Sequence, residues 1–126
     1  MKLDACSFTA TVLLAIATVT GESAASAAPD ASSGEQVFRQ RCQACHMPGR
    51  PSPLGPNLAG VVGRKAGTTA FNYTAAMKAS GLIWTKANLE KYLGGPRQMV
   101  PGTKMVIAVP DAAQRKALIG YLAQLK

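Results

Sequence analysis

Apolar positions near the C-terminus recur at Leu118, Tyr121, Leu122 and Leu125, the i, i+3, i+4, i+7 spacing that puts four side chains on one helical face. Asp111, just after Pro110, caps this stretch, with Gln114 at the third helical position, so a terminal helix is predicted. Leu89, Tyr92 and Leu93 share the face of a second helix, capped by Thr85 and stopped by Gly94-Gly95-Pro96. A shorter helix runs from Thr74 to about Ser80 and ends at Gly81. Ser32 and Ser33 each stand three residues before Glu35 and Gln36, the spacing of a capping box, and predict a helix running toward Cys45. Between these elements, Pro48 to Thr69 is rich in Gly and Pro, and Arg97 to Pro110 lacks the alternation of a sheet. No internal repeat is evident. The expected fold class is all-α, three to five helices with long loops, and loops of that length need a reason to be ordered.

The front of the chain has a different pattern. Lys2 precedes an apolar and small-residue run of 12 residues, Phe8 to Val19, followed by Glu22 and the small-residue stretch Ala25-Ser26-Ala27-Ala28. This is the pattern of a secretory signal peptide over residues 1–28, and the run is short of the ~20 apolar residues that span a bilayer. Residues 29–126 then form the single mature domain. Cleavage discards Cys6 and leaves Cys42 and Cys45 as the mature cysteines. It also raises the net charge from +8 to +9, because the mature part keeps 13 Lys+Arg against 4 Asp+Glu. A domain of 98 residues buries a modest share of its own surface, so a large covalent group would supplement its core far better than a disulfide across so short a loop.

Composition narrows the chemistry further. The chain holds 3 cysteines and 1 histidine, which excludes a bis-histidine site or a four-cysteine site within it. Cys42-Gln43-Ala44-Cys45-His46 places two sulfurs three residues apart, near a helix end, with an imidazole next to them. That is the attachment motif of c-type haem, in which each sulfur forms a thioether and His46 is the proximal ligand. A structural zinc site would fall one ligand short unless a carboxylate or a second chain supplied it. A thioredoxin-like dithiol would be expected beside a βαβ unit, and none is visible.

With the single histidine used, methionine is the next candidate for the remaining axial position. Met47 adjoins His46, and a methionine such as Met77 in a short helix is more often core filler than ligand. Met99 and Met105 remain. Pro101 stiffens the chain before Met105, Gly102 permits a turn, and Thr103 offers a hydroxyl for local hydrogen bonding. This turn chemistry favours Met105 and leaves Met99 as the alternative.

Taken in order, Gly34, Phe38, Cys42-Gln43-Ala44-Cys45-His46, Gly55-Pro56-Asn57-Leu58, Gly63-Arg64-Lys65, Tyr73, Trp84, Tyr92-Leu93, Pro101-Gly102-Thr103-Lys104-Met105 and Leu118-Ile119-Gly120-Tyr121-Leu122 closely resemble class I cytochrome c, of the mitochondrial and bacterial cytochrome c2 kind. The resemblance spans nearly all of residues 33–126. It implies a small cytochrome c fold wrapped around one covalent haem c per chain, with Cys42 and Cys45 as thioether attachments and His46 and Met105 as axial ligands. By the same resemblance the Pro56 carbonyl accepts a hydrogen bond from the His46 ring. Tyr92 and Thr103 flank the methionine sulfur and the propionate region, and Arg64, Tyr73 and Trp84 form the propionate shell. An indole N–H, a phenol and a guanidinium are donors suited to carboxylates. The sequence departs from the family in a proline-rich loop, Met47 to Pro53, without the loop histidine of mitochondrial members, and in Met77, at or near a position where many relatives carry a buried asparagine.

The resemblance implies a periplasmic, monomeric one-electron carrier rather than an enzyme. Its partners would be acidic faces of membrane redox complexes, oxidases, reaction centres or dehydrogenases, met in transient docking. Arg41, Arg97 and Lys104 would lie near the exposed haem edge, where basic residues steer an acidic partner. Scattered charge is otherwise an ordinary solvated face. Nucleic acid is disfavoured by export and by the lack of a recognition helix or aromatic stacking run. The alternatives are an electron-transfer subunit of a larger dehydrogenase, or a peroxidase or small-gas binder with an open sixth position.

Overall fold

The computed structural model describes residues 31–50 and 52–126; the expected signal peptide over residues 1–28 lies outside them. Five helices follow one another: α1 (Ala31–Arg41), α2 (Ala75–Ala79), α3 (Lys86–Gly94), α4 (Pro96–Met99) and α5 (Ala112–Leu122). Among the described residues the only β pairing is a single antiparallel bridge, Lys65 with Ile83, so the all-α expectation holds.

Three helices start where side-chain caps place them. Thr74 Oγ1 accepts from Met77 N at 3.2 Å, Thr85 Oγ1 from Asn88 N at 3.1 Å, and Asp111 Oδ1 from Gln114 N at 2.7 Å. Each satisfies a first-turn N–H that has no partner within its helix, which stabilises by about 1 kcal/mol. The front helix differs from expectation. It is described from Ala31, so the backbone at Ser32 and Ser33 is already helical. It ends at Arg41, and the stretch as far as Cys45 is a hydrogen-bonded turn. The short α4 was not anticipated: Pro96 at its first turn starts it, and four residues are too few to show a period.

Two terminal helices make the tightest crossing. A Cβ built on Gly34 of α1 would sit 2.1 Å from the Ala117 carbonyl oxygen of α5, so only a glycine lets the two backbones approach this closely. Phe38 (1 % exposed) and Leu118 (0 %) fill the crossing. The Phe38 and Tyr121 rings stack beside them in a tilted pair, centroids 5.4 Å apart. Burying each large apolar side chain here contributes about 1.5–3 kcal/mol. Helix α3 packs against both α4 and α5, whereas α2 touches no other helix. Turns hold α2 instead: the chain reverses at Gly102 (φ +91°) directly against Ala76. Replacing Gly34 by Ala forces α1 and α5 apart, and urea unfolding of the haem-loaded protein should show a loss of about 3 kcal/mol. An unchanged midpoint would mean that the crossing is not close-packed.

Candidate functional site

The inner faces of the helices line one cavity of about 220 Å³. Cys42 enters its wall after the end of α1, Met77 from α2, Leu89, Tyr92 and Leu93 from α3, and Leu118 and Leu122 from α5. The stripe expected for α3 therefore faces the cavity; of the one expected at the C-terminus, Leu118 and Leu122 face it, Tyr121 packs on Phe38, and Leu125 lies past the end of α5.

The turn after α1 is wound tightly enough to fix its side chains. Cys42 N and Gln43 N both donate to Phe38 O, at 2.8 and 2.9 Å, and Cys45 N and His46 N both donate to Cys42 O, at 3.1 and 2.9 Å. Cys42, Cys45 and His46 thereby reach the same cavity wall. No disulfide joins the two cysteines. Burial pushes the Cys42 thiol up to about 11 against a smaller opposing pull from the Arg41 guanidinium, so it is protonated at neutral pH. Among the described residues no three His, Cys, Asp or Glu side chains gather into a metal cluster.

The imidazole is tied at one nitrogen. His46 Nδ1 lies 2.8 Å from Pro56 O, and because a carbonyl only accepts, Nδ1 carries the proton and Nε2 keeps its lone pair. Burial lowers the His46 pKa and so favours the neutral ring that ligates, while the hydrogen bond to the Pro56 carbonyl opposes this in part. Gly55 makes room for this ring, because a Cβ there would fall 2.7 Å from His46 Cε1. Sequence order alone does not reveal that requirement.

The structure separates the candidate methionines. Met105 and the buried Met77 line the cavity; Met99 packs against the core elsewhere and does not. Met105 N donates to Thr103 Oγ1 at 3.3 Å, and the same oxygen lies 2.9 Å from Tyr92 Oη in a buried pair. The Thr103 hydroxyl therefore links α3 to the backbone of Met105.

The remaining predicted residues converge on the same cavity with different degrees of freedom. Tyr73 Oη pairs with Thr69 Oγ1 at 2.6 Å, and its ring meets Phe71 edge-on. Arg64 gives Nη1 to Ala59 O at 2.8 Å and Nη2 to Asn57 O at 2.9 Å. Its guanidinium thus closes the loop after Pro56 and retains three of its five N–H donors. Trp84 is 8 % exposed and lines the cavity, bringing an indole N–H donor to its wall. An apolar wall, two thiols and a neutral imidazole on one face, a thioether, and Trp84, Arg64 and Tyr73 to meet carboxylates fit haem c in donor chemistry. At the mouth stand the exposed Leu54, Val106 and Ile107 together with Arg41 and Lys104, whereas Arg97 is exposed on α4 and does not line it.

A fold of short helices around one cavity, with a Cys-x-x-Cys-His turn on its wall and a methionine loop beside it, defines a haem-attaching domain. Comparisons with known proteins agree, since the family described as cytochrome c matches residues 31–126. Cytochrome c2 of Rhodomicrobium vannielii is 48 % identical over 101 residues, covering 77 % of this chain and 80 % of that protein. Cytochrome c 2.1 of Caenorhabditis briggsae is 44 % identical over 98 residues, covering 75 % and 88 %. Among solved structures, cytochrome cH from Methylobacterium extorquens superposes with a TM-score of 0.69 at 42 % identity, covering 74 % of this chain and 96 % of that one. The chain belongs to the cytochrome c family: an electron carrier with covalently bound haem c, of the class in which His/Met ligation is typical.

Burial raises the pKa of Tyr92, with the Thr103 hydroxyl opposing it. The unfolded chain therefore loses this proton first, near the ordinary tyrosine value of ~10, and stability falls as pH rises above it. In Tyr92→Phe that part of the alkaline loss disappears, as thermal unfolding between pH 9 and 11 should show; an identical slope in both proteins would place the titration elsewhere.

Proposed function

We propose that Cys42 and Cys45 carry the two thioether bonds, that His46 Nε2 and the Met105 sulfur are the axial ligands, and that the chain works as a mobile one-electron carrier. The observation that carries the reading is the tied Nδ1: with Pro56 holding that proton, Nε2 is free to ligate on the wall that bears both thiols. Bound haem c supplies a one-electron couple, and thioether ligation raises its potential. The chain's own residues then have distinct tasks. Pro56 and Gly55 fix the imidazole plane, Thr103 and Tyr92 place the Met105 backbone, and Trp84, Arg64 and Tyr73 meet the propionates. Leu118, Leu122 and Leu93 keep water from the interior. With both axial positions filled by side chains, no substrate reaches the metal, so this domain carries electrons and does not catalyse.

Export through the leader at residues 1–28 to the periplasm is part of this reading, with residues 29–126 as the working domain and a monomer as its form. Basic side chains at the mouth, Arg41 and Lys104 with Arg97 nearby on the chain, suit transient docking on acidic faces of oxidases, reaction centres, dehydrogenases or other membrane redox complexes.

Two measurements test the proposal. Carbon monoxide added to the reduced holoprotein at neutral pH should bind slowly and incompletely, and Met105→Ala should make binding rapid and stoichiometric; fast binding by the unaltered protein would reject a filled sixth position. Reversing Arg41 and Lys104 to Glu should slow reduction by an acidic partner about tenfold at low salt and leave the potential nearly unchanged. Equal rates at all ionic strengths would remove the docking face.

A further inference from the structure

We propose that Arg115 is a positioning residue for the axial thioether, pinning the far end of the segment that carries Met105. The inference rests on the reading that Met105 is the ligand. Between Lys104 and Ala108 the chain makes a single backbone hydrogen bond among the described residues, Met105 N to Thr103 Oγ1, and Val106 and Ile107 face solvent. Met105 packs against the core, but no backbone–backbone hydrogen bond holds the middle of this segment among the described residues, so its two ends set the path of its backbone.

The near end is Thr103, whose N–H donates to Val100 O at 3.0 Å and whose hydroxyl pairs with Tyr92. The far end is Val109, 1 % exposed, whose N–H donates to Leu93 O at 2.8 Å. Arg115 completes it. Its Nη1 donates to Val109 O at 2.9 Å and to Pro110 O at 2.7 Å, while its Nε donates to Glu90 Oε1 at 2.6 Å. One planar fork thus joins α5, α3 and the end of the methionine segment. Lysine, with a single ammonium nitrogen, does not reproduce that fork. The Arg115 side chain is 16 % exposed, so solvent competes weakly for these donors. An ordinary exposed ion pair would add little; this one is spent on two backbone carbonyls four and five residues beyond Met105.

The test uses the oxidised, haem-loaded protein and two readouts: the sulfur-to-iron charge-transfer absorption, and the rate at which added imidazole displaces the native ligand. Arg115→Gln should weaken the absorption and speed imidazole binding roughly tenfold, the loss of a charged hydrogen bond expressed as a rate. Glu90→Gln, which keeps the packing and removes one charge, should speed it by about threefold, and Arg115→Lys should fall between the two. Arg39→Gln, which breaks the exposed pair with Glu35, should change neither readout. Ile119→Val, compared at urea concentrations giving equal residual stability, shows what general loosening does. Imidazole rates in Arg115→Gln and Glu90→Gln no faster than in Ile119→Val would overturn the proposal. Met105→Ala is run beside them: if it abolishes the absorption while the Arg115 variants behave as unaltered protein, the positioning role alone fails. If Met105→Ala keeps the absorption, the ligand assignment fails and takes this inference with it.

Discussion

The apolar faces of this chain are aimed at a cavity before they are aimed at each other. Cys42, Met77, Leu89, Leu93, Leu118 and Leu122 all contribute to its wall, and α2 has no helical neighbour at all. A domain of this size buries too little surface to be generous with its core. The covalent group that the family carries is therefore a structural member as much as a redox one. A thioether does not depend on oxidation state, so the core it completes survives each electron transfer unchanged. Packing between protein elements is concentrated where the cavity is not, at the crossing of α1 and α5. There Gly34 and Leu118 permit contact closer than any side chain at position 34 would allow.

The two proposed axial ligands are held in unlike ways. His46 sits in a turn with two N–H groups on one carbonyl, its ring tied by Pro56 and wedged by Gly55. Met105 sits on a segment anchored at Thr103 and Val109, with no backbone–backbone hydrogen bond between them among the described residues. The difference follows from the donors. A neutral imidazole needs its other nitrogen occupied to fix tautomer and plane. A thioether has no such handle, because methionine sulfur is a weak acceptor and nothing else. The protein is left with the backbone as the means of placing it, and the Thr103 hydroxyl and the Arg115 fork are the groups that act on that backbone.

How much of this was legible beforehand depends on whether the signal was local. Caps at Thr85 and Asp111, the short helix after Thr74, the stripe of α3 and the Cys42-to-His46 motif are contained within a few residues, and the structure has them where the sequence places them; Leu125 falls beyond α5, where the period alone carried the helix too far. The serines at 32 and 33 misled because capping types also occur within helices. Helix α4 escaped because one turn has no period. The turn chemistry at Pro101, Gly102 and Thr103 favoured Met105 over Met99, and the fold adds that Met105 lines the cavity while Met99 does not. Arg115 gave no sign: its partner Glu90 is 25 positions away, and its carbonyl acceptors belong to no sequence pattern. Arg64 was legible as a donor, but its first employment is closing the loop over Asn57 and Ala59.

The mouth of the cavity shows how a carrier of this design can bind and still let go. Long-range attraction from Arg41 and Lys104 raises the encounter rate with an acidic face, and salt weakens it. Leu54, at 69 % exposure, and Val106, at 62 %, lie among these charges and act only on contact. Two or three apolar side chains desolvate far less surface than the ~1,600 Å² of a stable complex, so they align the partners without holding them. Affinity differences between related complexes reside chiefly in the off-rate, and in the proposed docking that small apolar seat would set it. Enlarging it would lengthen each encounter and slow turnover. Removing it would leave fast encounters poorly oriented. The segment that supplies Val106 and Ile107 to the seat also carries Met105, so the proposed docking contact and the proposed ligand share one stretch of backbone, fixed at both ends.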